Sequence, residues 1–206
     1  MTGLVVGFDL DLTLFDTTPA VAAVLGLAAD RVGHPVDVPA VLAALGPPLD
    51  ELMSGHLAAK DVPGFVAGYR ALYPVHGPRA AVLLPGAAEA VAAVRGLGGS
   101  PVVLTGQPVD TARAHLVHSG LDVDEVVGSV WGSGKAWVLK ALGAFAYVGD
   151  HPADVAAAHE AGAHAVAVST GRHGPVELAG AHIVLPTLED FPRWLASTSH
   201  RGTGPR

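Results

Sequence analysis

Short, nearly continuous runs of apolar residues recur along the chain and predict buried β-strands. Such runs are typical of parallel strands that are covered on both faces, because neither face then needs polar side chains. They are "LVVGFDL" at 4–10, "PVVLTG" at 101–106, "FAYVGD" at 145–150, "HAVAVS" at 164–169, "HIVLP" at 182–186 and a weaker run, "DEVVGSV", at 124–130.

Helical patterns lie between these runs. They open on a turn or an early proline and end at glycine, which is the usual punctuation of an α-helix. The predicted helices cover 85–99, 108–120, 134–143 and 151–162. Because strands alternate with helices, the chain is expected to fold as an α/β protein with a doubly wound parallel sheet.

Two segments fall outside this alternation. Residues 17–81 are rich in Ala and Leu, have helical spacing and contain no convincing strand, so they are expected to form a small helical insert after the first strand. The core would then comprise residues 1–16 and 82–196. The polar stretch 197–206, "STSHRGTGPR", is expected to be disordered.

Composition narrows the class of protein. With 206 residues the chain suits one α/β domain, or a core domain with a small insert, and its formal net charge of −7 argues against a nucleic-acid partner. The absence of cysteine excludes disulfides, thiolate metal sites and a cysteine nucleophile. No apolar run reaches the roughly 18 residues that span a bilayer, and no signal peptide is recognisable, so a cytoplasmic protein without a membrane partner is expected. The oligomeric state is not readable from the sequence.

Polar residues gather where the predicted strands end. In an open parallel sheet, ligands bind at the carboxyl ends of the strands, so these positions are candidates for a functional site. Carboxylates beside an apolar core are costly unless a cation, hydrogen bonds or a solvent-filled cleft compensates them. The candidates are Asp9 and Asp11 after the first strand, Thr105, Gly106 and Gln107 after the second, Asp150 and Asp154 after "FAYVGD", and Lys135 at a helix start.

Four motifs in this order, "FDLDLTLFDT", "LTGQ", "GSGKAWVLKAL" and "YVGDHPADVAAAHEAG", resemble those of the haloacid dehalogenase (HAD) superfamily. The resemblance is to its phosphatases with a small helical cap, such as phosphoglycolate phosphatase-like proteins. It implies a Rossmann-like core over 3–16 and about 82–190, with the helical insert as the cap. The implied function is a Mg²⁺-dependent phosphatase that hydrolyses a small phosphorylated metabolite, phosphoglycolate-like or a sugar phosphate, through an aspartyl-phosphate.

The resemblance also implies roles for individual residues. Asp9 would be the nucleophile and Asp11 the general acid and base. Asp9, the backbone carbonyl of Asp11 and Asp150 would hold Mg²⁺, and Asp154 would support this site. The remaining implied roles are phosphate binding by Thr105 and Gly106, and charge neutralisation by Lys135.

Structural explanations stand beside these roles. Asp150 and Asp154 are also suitable as acids that complement a helix N-terminus, and Asp16 is better explained by the turn that leaves the first motif. Lys135 in a first helical turn is electrostatically unfavourable, which favours a functional role, with Lys140 as the fallback. "GSGK" at 132–135 lacks the spacing of a nucleotide-binding P-loop.

Two positions depart from the family pattern, and two other functions stay open. Leu12 stands where many relatives carry glycine, and Gln107 follows the "TG" where many relatives have asparagine. The roles of Gln107 and His151 are undecided. The other functions are a phosphomutase of the β-phosphoglucomutase type and a non-catalytic binding module. Substrate choice is expected to lie in the insert, at 45–52, with His56, Tyr69, Arg70 and Tyr73 as further candidates.

Overall fold

A six-stranded parallel sheet forms the centre of the computed structural model, which describes residues 3–33, 35–45 and 47–199. Its strands are β1 (Val5–Phe8), β4 (Ser100–Leu104), β5 (Glu125–Val127), β6 (Ala146–Gly149), β7 (His164–Val168) and β8 (Ile183–Leu185). They lie in the order β5-β4-β1-β6-β7-β8, and every neighbouring pair is parallel. All six coincide with apolar runs predicted from the sequence.

Helices cover both faces of this sheet. Alternate strand residues point to opposite faces, so Val103 packs in one buried cluster with α5 and α6, whereas Val102 packs in another with α7 and α8. The helices are α5 (Ala87–Gly96), α6 (Val109–Ser119), α7 (Ser133–Leu142), α8 (Pro152–Ala161) and α9 (Phe191–Ser199). The doubly wound α/β fold predicted from the sequence is therefore confirmed.

The segment between β1 and β4 contains a helical layer with its own buried cluster. Its helices are α1 (Thr18–Val32), α2 (Val38–Ala43), α3 (Leu49–Ser54) and α4 (Val62–Ala80). Val24, Met53 and Phe65, from three of these helices, are almost completely buried against one another. This cluster is separate from the two on the sheet, so the helical layer has a hydrophobic core of its own.

A two-stranded antiparallel ribbon joins this helical layer to the sheet. Its strands, β2 (Phe15–Asp16) and β3 (Val82–Leu83), lie directly before α1 and directly after α4. The backbone N–H of Leu84 also donates to the carbonyl of Leu14, at 2.9 Å. The two connections of the helical layer are thereby held side by side, a contact that the sequence pattern did not predict.

The carboxyl-terminal region corrects one expectation. After a short 3₁₀ turn, Leu188–Asp190, helix α9 continues to Ser199, so residues 197–199 are helical and not disordered. Phe191 and Leu195 pack into the sheet cluster, which explains why the helix forms despite its polar end. The remainder of the expected tail, 200–206, lies outside the described residues. Within the described ranges, we find no helix with the length and apolar character to cross a bilayer.

Candidate active site

The candidate residues meet at the carboxyl edge of the sheet, beside its central strand. The strand order reverses direction at β1, which lies between β4 and β6, and this is where open α/β sheets bind their ligands. Asp9 directly follows β1, Thr105 follows β4 and Asp150 follows β6. Three of the four predicted motifs, far apart in the sequence, are therefore neighbours in space.

Three carboxylates form a compact cluster at this edge. One oxygen from each of Asp9, Asp150 and Asp154 lies within 4.8 Å of the other two, and all three residues are buried. The Nζ atom of Lys135 is 3.0 Å from Oδ1 of Asp9 and 2.8 Å from Oδ1 of Asp154. Three acids thus share one buried cation, which leaves the cluster with excess negative charge.

Burial, together with the neighbouring charges, shifts the pKa values of this cluster. Burial raises the pKa of Asp9 to about 7; Lys135 opposes the shift, and Asp154 and Asp11 add to it. Burial and the charges of Asp9 and Asp154 likewise raise the pKa of Asp150. Burial by itself would lower the pKa of Lys135, but Asp154 and Asp9 outweigh it and raise this pKa, so Lys135 remains an ammonium ion.

The cluster fits a divalent cation. Asp9 uses Oδ1 for Lys135, and Asp150 uses Oδ1 to accept a hydrogen bond of 3.3 Å from the Thr13 hydroxyl. The Oδ2 atoms of these two carboxylates have no partner among the described residues, and neither is sealed from solvent. Carboxylate oxygens facing a cleft, with surplus negative charge, are the ligands that Mg²⁺ prefers. Gly171 lies so close to Asp150 Oδ2 that a Cβ there would collide with it.

Asp154 is engaged differently. Its Oδ1 accepts from Lys135, and its Oδ2 accepts the backbone N–H of His151 at 3.2 Å. A Cβ at Gly149 would collide with this carboxylate, so glycine at the end of β6 allows Asp154 to approach. Since both oxygens already have partners, Asp154 is placed to hold Lys135 and the start of α8 in position.

Asp11 lies nearer the cleft and outside the carboxylate cluster. Its Oδ1 accepts two hydrogen bonds of 2.6 Å, from the Thr17 hydroxyl and from Nε2 of Gln107. Both donors follow strands, so they fix the carboxyl group from two sides. Asp16 accepts the backbone N–H of Thr18 at 2.9 Å, which agrees with a role in the turn before α1.

The remaining predicted residues divide between the interior and the cleft. Thr105 is completely buried, and its Oγ1 accepts the backbone N–H of Gln107 at 3.1 Å, which leaves the hydroxyl hydrogen available as a donor. Gly106 is exposed and lines the cleft. Lys135 is 1% exposed at the cluster, whereas Lys140, the fallback, is exposed on α7.

A cavity of about 170 Å³ opens above the acids, between the sheet edge and the helical layer. Asp9, Asp11 and Asp150 line it from below. Most of the residues expected to select the substrate also line it, namely Leu45, Pro47, Pro48, Leu49, Leu52, Tyr69, Arg70 and Tyr73. Gly46, inside the predicted segment, lies outside the described residues. His56 is not among the lining residues.

The loop after β7 also reaches the site, and the sequence interpretation overlooked it. The Thr170 hydroxyl donates to the carbonyl of Leu12 at 2.5 Å, and Arg172 and His173 line the cavity. The available signal was positional, because "STGRH" follows a predicted parallel strand, as the other site loops do. The hydrogen bonds that Thr13 and Thr17 donate to the acids were overlooked for a different reason. Threonine hydroxyls are equally common in ordinary turns.

Comparison with known proteins identifies the family. The family model of haloacid dehalogenase-like hydrolases matches residues 4–162, and a second model, HAD-hydrolase-like, matches residues 136–191. No curated protein matches the chain.

Solved structures share the fold at low sequence identity. One is described as a predicted phosphatase from Clostridium acetobutylicum, with a TM-score of 0.80, 19% identity and coverage of 96% of this chain and 100% of that one. A haloacid dehalogenase-like family hydrolase from Streptococcus pneumoniae has a TM-score of 0.79 and 18% identity, with coverage of 95% of this chain and 98% of that one. A structure described as a predicted phosphoglycolate phosphatase from Haemophilus somnus has a TM-score of 0.77 and 20% identity, with coverage of 94% of this chain and 98% of that one.

These likenesses establish the fold, and the family model, which spans well over half of the sequence, establishes the kinship. The four motifs recognised in the sequence lie within the two matched ranges; three of them line the cavity, and Lys135 of the fourth contacts the acids at its floor. The chain belongs to the haloacid dehalogenase-like hydrolases.

Proposed function

We propose that this protein is a Mg²⁺-dependent phosphatase that hydrolyses a small phosphorylated metabolite through an aspartyl-phosphate on Asp9. The observation that carries the proposal is the position of Asp9. Its carboxylate lies at the floor of the cavity, 3.0 Å from Lys135, with Asp11 lining the same cavity. A nucleophile, an acid–base group and a cation thus converge on one space.

The reaction has two steps. First, an oxygen of Asp9 attacks phosphorus, the bond between phosphorus and the ester oxygen breaks, and the leaving alcohol takes the proton of Asp11. Asp11, now ionised, then accepts a proton from water, whose oxygen attacks the same phosphorus. The bond between phosphorus and the Asp9 oxygen breaks, which releases inorganic phosphate and restores both acids.

Other residues of the site support these steps. Lys135 neutralises Asp9 and the incoming phosphoryl oxygens, and Asp154 holds Lys135 in place. The Thr105 hydroxyl and the backbone N–H of Gly106 donate to phosphoryl oxygens.

Asp9, Asp150 and the backbone carbonyl of Asp11 would hold the Mg²⁺. Bound there, the cation would neutralise charge on the phosphoryl group and so allow an anionic nucleophile to approach. Asp150 has a carboxylate oxygen free for this purpose among the described residues, and Thr13 orients its other oxygen.

We treat residues 17–81 as a cap over a core of 1–16 and 82–196. The separate buried cluster of the helical layer supports this division, as does the short ribbon that joins it to the core. A layer attached through two adjacent connections is suited to move over the cavity and exclude water during phosphoryl transfer.

Asp9→Asn tests the proposal most directly. The amide cannot act as the nucleophile, so phosphate release from a panel of phosphorylated metabolites should fall by at least about a thousandfold, the scale seen when a nucleophile is removed. Phosphoglycolate-like compounds and sugar phosphates, the classes expected from the sequence, belong in the panel. Release by the wild-type protein should require Mg²⁺ and stop on addition of EDTA.

Asp16→Asn is the matched control. It makes the same chemical change seven residues along the chain, at a carboxylate that accepts the backbone N–H of Thr18, a bond that an amide oxygen can also accept. Its activity should equal that of the wild type. Full activity in Asp9→Asn would contradict the mechanism, and movement of phosphate between two positions of one substrate would indicate mutase chemistry instead.

A further inference from the structure

The helical layer presents an almost wholly apolar wall to the cavity. Its lining side chains include Val21 from α1, Leu49 and Leu52 from α3, and Tyr69 and Tyr73 from α4, with two prolines of the α2–α3 loop. The Tyr73 hydroxyl is already bonded to Nε2 of His115, at 3.2 Å. This wall faces the acids across the cavity, so it contacts the part of the substrate that is not the phosphoryl group.

The one cation in this wall, within the described residues, is already neutralised. Nη2 of Arg70 lies 2.6 Å from the Asp50 carboxylate, and both side chains are about half exposed. A substrate carboxylate or second phosphate would need to displace Asp50 to gain this charge. In this structure Arg70 therefore forms an ion pair on the protein itself.

The sheet side extends the apolar surface. Leu12 and Trp131 line the cavity from the core loops. Beside them, Nε2 of Gln107 donates to Asp11 and Nδ1 of His151 accepts the N–H of Ala153, whereas Oε1 of Gln107 has no partner within the described residues. A polyhydroxylated leaving group would lose its hydration here and would face the apolar wall.

The volume of the cavity favours a small leaving group. An apolar cavity of about 150 Å³ holds one benzene molecule, and the cavity here, of about 170 Å³, also has to admit the phosphoryl group. In this arrangement of the helical layer, the enclosed space beyond the phosphoryl group suits a leaving group of only a few carbon atoms.

We propose that the substrate is a phosphate monoester of a small apolar alcohol, such as a short alkyl or single-ring alcohol, rather than a sugar phosphate. This inference rests on the proposed function. It follows from the match between an apolar wall, a paired arginine and a small cavity. Burial of each methylene group against such a wall favours binding by about fourfold.

A size-matched substrate pair tests the inference. Butyl phosphate and glycerol 1-phosphate are both esters of primary alcohols with similar chain length, but glycerol phosphate carries two additional hydroxyls. With Mg²⁺ present, kcat/KM should be at least about tenfold higher for butyl phosphate, because its methylene groups pack against the apolar wall, where the hydroxyls of glycerol phosphate find no hydrogen-bond partner. Phosphoglycolate, whose carboxylate could instead pair with Arg172 at the cavity, should be cleaved less efficiently than butyl phosphate.

Leu49→Asn tests whether the wall is responsible. Leu49 lines the cavity and is only partly buried, so the change should leave the fold intact, which thermal unfolding checks. It should lower kcat/KM for butyl phosphate by about tenfold and leave that for glycerol phosphate unchanged or raised. The matched control is Leu27→Asn, in α1, where the leucine is 40% exposed and does not line the cavity. That control should behave as the wild type with both substrates.

The outcomes separate this inference from the function on which it rests. Chelator-sensitive release that prefers phosphoglycolate or glycerol phosphate overturns the apolar substrate and leaves the phosphatase intact. A preference for phosphoglycolate that Arg172→Gln abolishes would assign the carboxylate to Arg172, an exposed cavity residue with no acidic partner in the described chain. If no ester in the panel is cleaved, the proposed function fails, and the inference fails with it.

Discussion

Ser129 and Leu12 adopt left-handed backbone conformations although neither is glycine. Their φ angles are 57° and 56°. A side chain in this region costs about 1–2 kcal/mol, because Cβ crowds the carbonyl oxygen. At Leu12 the strained position lies in the loop after β1, and the residue lines the cavity. The glycine that many relatives carry here is explained by the backbone, and the leucine adds apolar surface at the cost of strain.

Ser129→Gly should stabilise the protein. Ser129 is exposed, so the variant relieves the backbone without loss of a buried contact. The gain in the free energy of unfolding should be about 0.5–1 kcal/mol, because the greater entropy of glycine in the unfolded chain offsets part of the relief. Urea unfolding measures it. The control Ser133→Gly, at an exposed position with helical backbone, should give no gain; equal gains in both variants would refute the explanation.

Mg²⁺ should stabilise the protein more above pH 7 than below it. The pKa of Asp9 is about 7 in the folded protein and 3.8 for an unperturbed aspartate, so folding takes up a proton between these pH values. Stability without metal therefore falls as pH rises through this window and is lowest above pH 7, where the buried carboxylate is charged. A bound cation favours that charged form. Thermal unfolding with Mg²⁺ or EDTA on both sides of pH 7 measures the difference, and an equal metal effect at both would contradict the prediction.

Helix α8 shows how an element places site residues through its own local rules. His151 is its N-cap, and Nδ1 of His151 accepts the N–H of Ala153 at 3.0 Å. Asp154 reciprocates by accepting the N–H of His151, which completes a capping box. The structural explanation and the functional one for Asp154 are therefore compatible, because one carboxylate caps the helix and holds Lys135.

His151→Ala should cost about 1 kcal/mol in the free energy of unfolding, the usual effect of losing an N-cap side chain. His151→Asn is the matched variant: its amide oxygen can accept the same backbone N–H, so stability should stay within about 0.5 kcal/mol of the wild type. Urea unfolding of the two variants distinguishes them. Equal destabilisation by both would mean that ring contacts with Trp131 and His173, rather than the cap, account for the role of His151.

At the scale of the whole molecule, the helical layer and the sheet domain meet at a buried polar contact. Tyr73 of α4 and His115 of α6 are 3.2 Å apart at the hydroxyl and Nε2, and the ring of His115 also packs on Phe15 of the ribbon. Nδ1 of His115 is buried without a partner in the described chain. The contact with Tyr73 is therefore the one hydrogen bond of this buried imidazole within the described residues.

Tyr73→Phe should destabilise the protein by about 1–3 kcal/mol, because it leaves the buried His115 ring without a hydrogen-bond partner. Tyr69→Phe is the control. Tyr69 lies one turn earlier on the same helix and is similarly buried, and its hydroxyl makes no hydrogen bond among the described residues. Its stability should change by less than about 0.5 kcal/mol. Equal effects of the two substitutions, measured by urea unfolding, would exclude a special role for the contact with His115.

The sequence by itself determined the elements of the sheet and indicated which residues gather at the candidate site. Continuous apolar runs and Pro–Gly punctuation are local signals, so the strands and the helices of the core followed from neighbouring residues. Asp9, Asp11, Lys135 and Asp150 were recognisable because the chemistry requires their residue types at strand ends and a helix start. The helical end of α9 was missed, since Phe191 and Leu195 stabilise that helix from the other side of the fold.

Tertiary structure alone decided the relations between distant parts of the chain. The β2–β3 ribbon, the loop that carries Thr170 and Arg172, and the bond from Gln107 to Asp11 join residues whose separation in sequence hides their contact. The apolar wall of the cavity was also hidden, because the periodicity of a helix shows which face is apolar but not what that face meets. Burial likewise raises the pKa of Asp9, and burial is a property of the surroundings that the folded chain creates.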